Sequence, residues 1–147
     1  MLISPEIYRK YIKPRHQELI NYIKSYTEAY IYYHTDGAVE PLIPDLIDIG
    51  VDILDPVQPA SLDLNKIKNK YGSDLSFFGG IDVQQVLPYG SRGDVKKEVK
   101  KRFRQLGNQG GLILGPSHWI QKDVPWENIY TMYESIKKCR YPINFKK

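Results

Sequence analysis

The chain has 147 residues, 41% of them hydrophobic and 26% charged, with a formal net charge of +4 and one cysteine, Cys139. That length suits one domain, 1–147, that folds without a staple, and a lone cysteine excludes an intramolecular disulfide. No window approaches the ~18 consecutive apolar residues of a membrane span, and MLISPEIYRK lacks the apolar core of a signal peptide, so a cytoplasmic protein with no membrane partner is expected.

Ser4 and Pro5 start a helix, the hydroxyl capping free amides and the proline pre-set at the first helical position. It runs toward Ser25, with Pro14 bending or splitting it. Ala29 to Tyr33 (AYIYY) reads as a strand by its aromatic and β-branched content, and His34, Thr35, Asp36 and Gly37 form the polar turn after it. VEPLIPDLIDIG carries Leu42, Leu46 and Ile49 on one helical face and stops at Gly50. Val51 to Leu54 is the second strand, ended by the loop from Asp55 to Pro59.

A third cycle has a helix from Asp63 to Tyr71, a strand from Leu75 to Phe78 and the loop GGIDVQQ from Gly79. In the fourth, Ser91 caps a helix that ends near Leu106 and Gly107, Gly111 to Leu114 is a strand, and GPSHW, Gly115 to Trp119, is its loop. Asp123 and Pro125 open a last helix with Ile129, Met132, Tyr133 and Ile136 at core spacing. One leading helix followed by four βα units is an α/β fold with a parallel sheet and right-handed crossovers.

The one dense basic run, Lys96, Lys97, Lys100, Lys101, Arg102 and Arg104, interleaves with Val95, Val99, Phe103 and Leu106 at helical spacing. Its lysines are the solvated face of an amphipathic helix, and no nucleic-acid-binding motif accompanies them, so no nucleic-acid partner is expected.

In parallel α/β folds ligands bind outside the carboxyl ends of the strands. The loops there hold His34, Asp36, Asp55, Gln58, Asp82, Gln84 and His118, whereas the loops that precede strands are plain turns. On extended chain, residues i and i+2 point the same way, so the imidazole of His34 and the carboxylate of Asp36 face one point, with His118 ending another strand nearby. Two histidines and a carboxylate suit zinc or iron(II). The competing reading makes both histidines hydrogen-bonded rim residues and Asp36-Gly37 a simple turn.

Asp55, Asp82, His34 and His118 are also candidates for acid/base work. Against that, Asp55 precedes Pro56 at a strand end and Asp82 suits amide capping in its turn; Gly79 and Gly80 let a ligand approach the backbone or form a bulge. There is no nucleophile elbow, phosphate loop or dinucleotide fingerprint. His16, beside Arg15, reads as a surface residue, and nothing near Cys139 lowers its pKa.

SPEIYRKYIKP, HTDGAVEPLIPDLIDIGVDILDPVQP, FFGGIDVQQVLPYG and GPSHWIQKDVPWENI, taken together from Ile3 to Ser135, resemble the uroporphyrinogen decarboxylase superfamily. The likeness is greatest to the branch with corrinoid-dependent and coenzyme M methyltransferases. The resemblance implies the C-terminal half of a TIM (β/α)8 barrel, where a complete barrel has about 250 residues. In that branch a zinc site is built from a His-x-Cys pair and a further Cys after the last strand. His34 falls on the histidine, Asp36 on the first cysteine and His118 on the second, so both thiolates are replaced.

The resemblance thus implies a methyltransferase or part of one, with zinc at His34, Asp36 and His118, a small-molecule substrate and a corrinoid protein as partner. Asp55, Gln58, Gly79, Gly80 and Gln84 then stand on the same rim to meet substrate, with His118 and Asp82 as catalytic candidates. The alternative is decarboxylation of a tetrapyrrole-like acid, in which His118 or Asp82 stabilises charge as carbon dioxide leaves; a third is a truncated member that binds without catalysis. Half a barrel leaves two parallel edges and an apolar face open, which predicts a homodimer or a complex with a separate N-terminal half-barrel chain.

Overall fold

The structure is a computed structural model and describes residues 3–140. Ser4 accepts the Ile7 amide at 3.3 Å and Pro5 opens α1, Pro5–Ile7. A wide π turn, Tyr8–Ile12, joins it to α2, Lys13–Tyr26. The irregularity thus lies just ahead of Pro14, where a proline with no N–H leaves the Lys10 carbonyl without its helical donor and a wider turn relieves the crowding.

The remaining elements alternate. The first strand, β1, is Tyr32–His34, and a 3₁₀ turn at Glu40–Leu42 leads into α3, Ile43–Asp48. Then come β2, Ile53–Val57; α4, Leu64–Tyr71; β3, Ser76–Ile81; a short α5, Val86–Tyr89; α6, Arg92–Leu106; β4, Leu112–Pro116; and α7, Trp126–Ile136. All three pairings are parallel, in the order β1-β2-β3-β4.

The strands reach further toward their carboxyl ends than residue propensities indicate. His34, Asp55, Gly79, Gly80 and Pro116, read as loop, are strand residues. Gly79, Gly80 and Ile81 pair with Leu114, Gly115 and Pro116, so the ladder itself overrides glycine and proline. Gly79 has φ +98° and a Cβ there would stand 3.2 Å from the Ser117 Cα, which explains glycine: β4 and its loop pass too close for a side chain.

One face of the sheet is packed. Leu54 and Phe77 are fully buried with Ile43, Leu46 and Ile67 from α3 and α4, and a second cluster joins Ile81 to Val95, Val99 and Met132 beneath α6 and α7. A capping box between Ser91 and Asp94 starts α6, whose lysines at 96, 97, 100 and 101 are exposed as expected. Arg102 departs from that face and turns inward to Glu98, at 2.8 Å. The other sheet face is open: Tyr32 and Ile113 are exposed on it, and Tyr32 meets Phe78 edge-on with ring centroids 5.5 Å apart.

Candidate functional site

The site is built where β1 and β2 end. The register sets His34 opposite Asp55, so both side chains rise on one face. In β2 the pairing with β3 slips between Leu54 and Val57, a bulge that holds Asp55 and the cis-linked Pro56. Asp55 is buried and its Oδ2 makes a short contact with His34 Nδ1. Its backbone carbonyl also accepts the Thr35 amide at 2.6 Å, which fixes the start of the HTDG turn.

That turn closes at Gly37, with φ +86°, whose amide donates to Gln58 Oε1 at 2.9 Å. The chain thereby folds Asp36 back on His34, with Asp36 Oδ2 3.2 Å from Nε2. On the far side Ser117 is buried and donates its amide to the Ile81 carbonyl at 2.9 Å, which sets the loop that carries His118. The rings of His34 and His118 meet edge-on, 6.3 Å between centroids.

One donor atom each from His34, Asp36 and His118 therefore lies within 4.8 Å of the others, and all three residues are exposed. Two donors on one tetrahedral zinc, each about 2.0–2.1 Å from it, stand roughly 3.4 Å apart; rotation of exposed side chains spans the difference. The Asp55 hydrogen bond raises the His34 pKa above its ordinary value, against a smaller opposing effect of burial. Tyr32, on the same face of β1, has its phenol pushed up to about 12 by burial and then by the nearby Asp55 carboxylate.

Two cavities flank this cluster. A cavity of about 870 Å³ lies beside β1 and α2, with His34, Asp36 and Gln58 in its wall and Val39, Leu42 and Leu46 as its apolar side. A smaller one, about 320 Å³, lies over the open sheet face and is lined by Tyr32, Phe78, Trp119, Asp55, His34 and His118.

The structure does not bring every predicted site residue here. Asp82 Oδ1 accepts the amides of Gln84 and Gln85 at 2.7 and 3.1 Å, the capping geometry, and the exposed Gln84 takes part through its backbone. Gly79 and Gly80 serve the approach of β4 and α6, a Cβ on Gly80 falling 3.2 Å from Leu106 Cδ1. His16 is not a surface residue: it is half-buried, its Nδ1 lies 3.2 Å from the Tyr33 hydroxyl and 3.5 Å from that of Tyr8, and all three line the larger cavity. Burial drives the Tyr8 phenol far above its ordinary pKa. The spacing of Tyr8 and His16 carries a helical signal, but the π turn between them alters its phase.

Comparison with known proteins places the chain in a family and its fold. The family model described as uroporphyrinogen decarboxylase (URO-D) matches residues 1–139. The chain belongs to the URO-D family. It is 26% identical over 144 residues to a methylated-thiol–coenzyme M methyltransferase of Methanosarcina mazei, covering 96% of this chain and 35% of that one. It is 25% identical over 128 residues to a uroporphyrinogen decarboxylase of Koribacter versatilis, covering 86% and 35%. A solved methyltransferase from Methanosarcina mazei superimposes with TM-score 0.74 at 23% identity, over 92% of this URO-D family chain and 37% of its own. The chain thus spans about a third of the length of these relatives, and its four parallel strands with alternating helices match part of a TIM barrel.

Proposed function

We propose that this URO-D family chain is part of a corrinoid-dependent methyltransferase, with a metal held at the strand rim by His34, Asp36 and His118. The observation that carries the reading is the convergence of these donor atoms within 4.8 Å from the carboxyl ends of β1 and β4. The donor set fits: two imidazole nitrogens and a carboxylate oxygen suit zinc, and form a harder set than the thiolates of the related branch. When bound, zinc supplies Lewis acidity to a small acceptor such as a thiol.

The chain's own contributions are separate from that chemistry. Asp36 and His118 are presented by turns anchored at Gln58 and Ile81. Gln58 and the apolar Val39, Leu42 and Leu46 wall a space large enough for a small substrate. Because all three ligand residues are exposed, the rim is open to a corrinoid carried on a partner protein. A second copy of the chain, or a separate N-terminal half-barrel chain, covers the open sheet face in this reading.

Decarboxylation of a tetrapyrrole-like acid is the second reading, favoured by relatives named uroporphyrinogen decarboxylase. It is less well supported, because among the described residues neither cavity at the rim has a Lys or Arg in its wall to meet a polycarboxylate. The deciding experiment is elemental analysis of protein purified without chelator. Stoichiometric zinc that is lost in His34→Ala supports the metal site; folded wild-type protein that takes up no metal overturns it.

A further inference from the structure

We infer that Asp55 is a positioning residue for the His34 ligand: it holds the ring in the tautomer that carries its proton on Nδ1 and leaves Nε2 free for a metal. This inference rests on the metal-binding reading above.

A neutral imidazole has one N–H, and the two nitrogens of His34 each face a carboxylate, Asp55 at Nδ1 and Asp36 at Nε2. An ionised carboxylate only accepts, so the two compete for one proton. The Asp55 side chain is 8% exposed and that of Asp36 is 46% exposed. Water screens the second interaction and leaves the first intact, so the proton belongs on Nδ1 and the Nε2 lone pair points toward Asp36 and His118. Metal-binding histidines are commonly oriented by an outer carboxylate in this way.

Asp55 is itself fixed. It stands opposite His34 in the β1-β2 register, its carbonyl holds the Thr35 amide, and its side chain is buried at the strand end. The residue next to Asp55 is a proline and the strand bulges there, so the carboxylate is delivered by backbone shape and not by a flexible side chain.

Two measurements test this on the full chain. Long-range ¹H–¹⁵N NMR of the metal-free protein, at a pH where His34 is neutral, reads the tautomer directly: Nδ1–H is expected, and a predominantly Nε2–H ring in the wild type overturns the inference whether or not zinc binds. Zinc affinity from chelator competition is expected to fall about 10–100-fold in Asp55→Ala and by less in Asp55→Asn, whose amide oxygen still accepts from Nδ1. Unchanged zinc affinity in folded Asp55→Ala also overturns the positioning role. Wild type that binds no zinc but shows the Nδ1–H ring instead refutes the metal reading and leaves the tautomer assignment standing.

Discussion

Asp45 on α3 clamps the leading helix to the body of the fold, and its replacement by asparagine has a calculable cost. Its carboxylate accepts from Arg9 Nε at 2.9 Å and Lys13 Nζ at 3.0 Å, and Lys13 reaches on to Asp48 at 2.7 Å. A hydrogen bond to a charged group is worth about 1.5–3 kcal/mol. The Arg9 side chain is 48% exposed and that of Lys13 21%, so the Arg9 contact is discounted to about 0.5 kcal/mol and the Lys13 contact to about 1 kcal/mol. Asp45→Asn keeps the shape and leaves Lys13 its second partner, which gives a loss of about 1–1.5 kcal/mol, or roughly 3–6 °C in Tm for a chain of this size.

The pH dependence has a definite sign. Burial pushes the Asp45 carboxyl up, but the Lys13 and Arg9 hydrogen bonds together outweigh it, and the pKa lies below the ordinary carboxylate value. Such a group contributes stability above its unfolded pKa, and the contribution fades as the pH falls through the folded value. Urea denaturation of wild type and Asp45→Asn at neutral pH and at about pH 3 is the assay: the gap should narrow in acid. A loss below about 0.5 kcal/mol at neutral pH, the range of an ordinary surface substitution, or a gap that widens in acid, refutes the clamp.

Gly79→Ala is expected to cost about 1–3 kcal/mol, since it puts a side chain at φ +98° and 3.2 Å from the Ser117 Cα; thermal melting checks it, and a wild-type Tm contradicts the close-approach account. Light scattering at micromolar concentration is expected to give the mass of a dimer, or of a stable complex once an N-terminal half-barrel chain is supplied. A monodisperse monomer in both cases counts against the proposed cover of the sheet.

The order of elements was legible because short runs rich in β-branched and aromatic residues alternate with segments of helical apolar spacing. The gathering of His34, Asp36 and His118 was legible from their places at strand ends of a parallel sheet, although it is the turn at Gly37, not extended i, i+2 geometry, that brings Asp36 to His34. What was hidden is what depends on register. That Asp55 faces His34 follows from the β1-β2 pairing and the β2 bulge, neither of which is encoded in a local window. Gly79, Gly80 and Pro116 look like strand ends one residue at a time, yet paired neighbours keep them in the ladder. His16 looks solvated beside Arg15, but its contacts are to Tyr8 across a π turn and to Tyr33 on another element.

Net charge is a further case in which a chain-wide average hides the local field. The sum is +4, but the lysines that produce it are spread over exposed helical surface, notably the outer face of α6. The cavities at the strand rim have Asp36 and Asp55 in their walls and, among the described residues, no Lys or Arg. Exposed charges beyond a Debye length of about 8 Å are largely screened at physiological salt, so a ligand at the rim meets the carboxylates and the imidazoles before it meets the basic helices. A basic isoelectric point is therefore compatible with the proposed cation site among His34, Asp36 and His118.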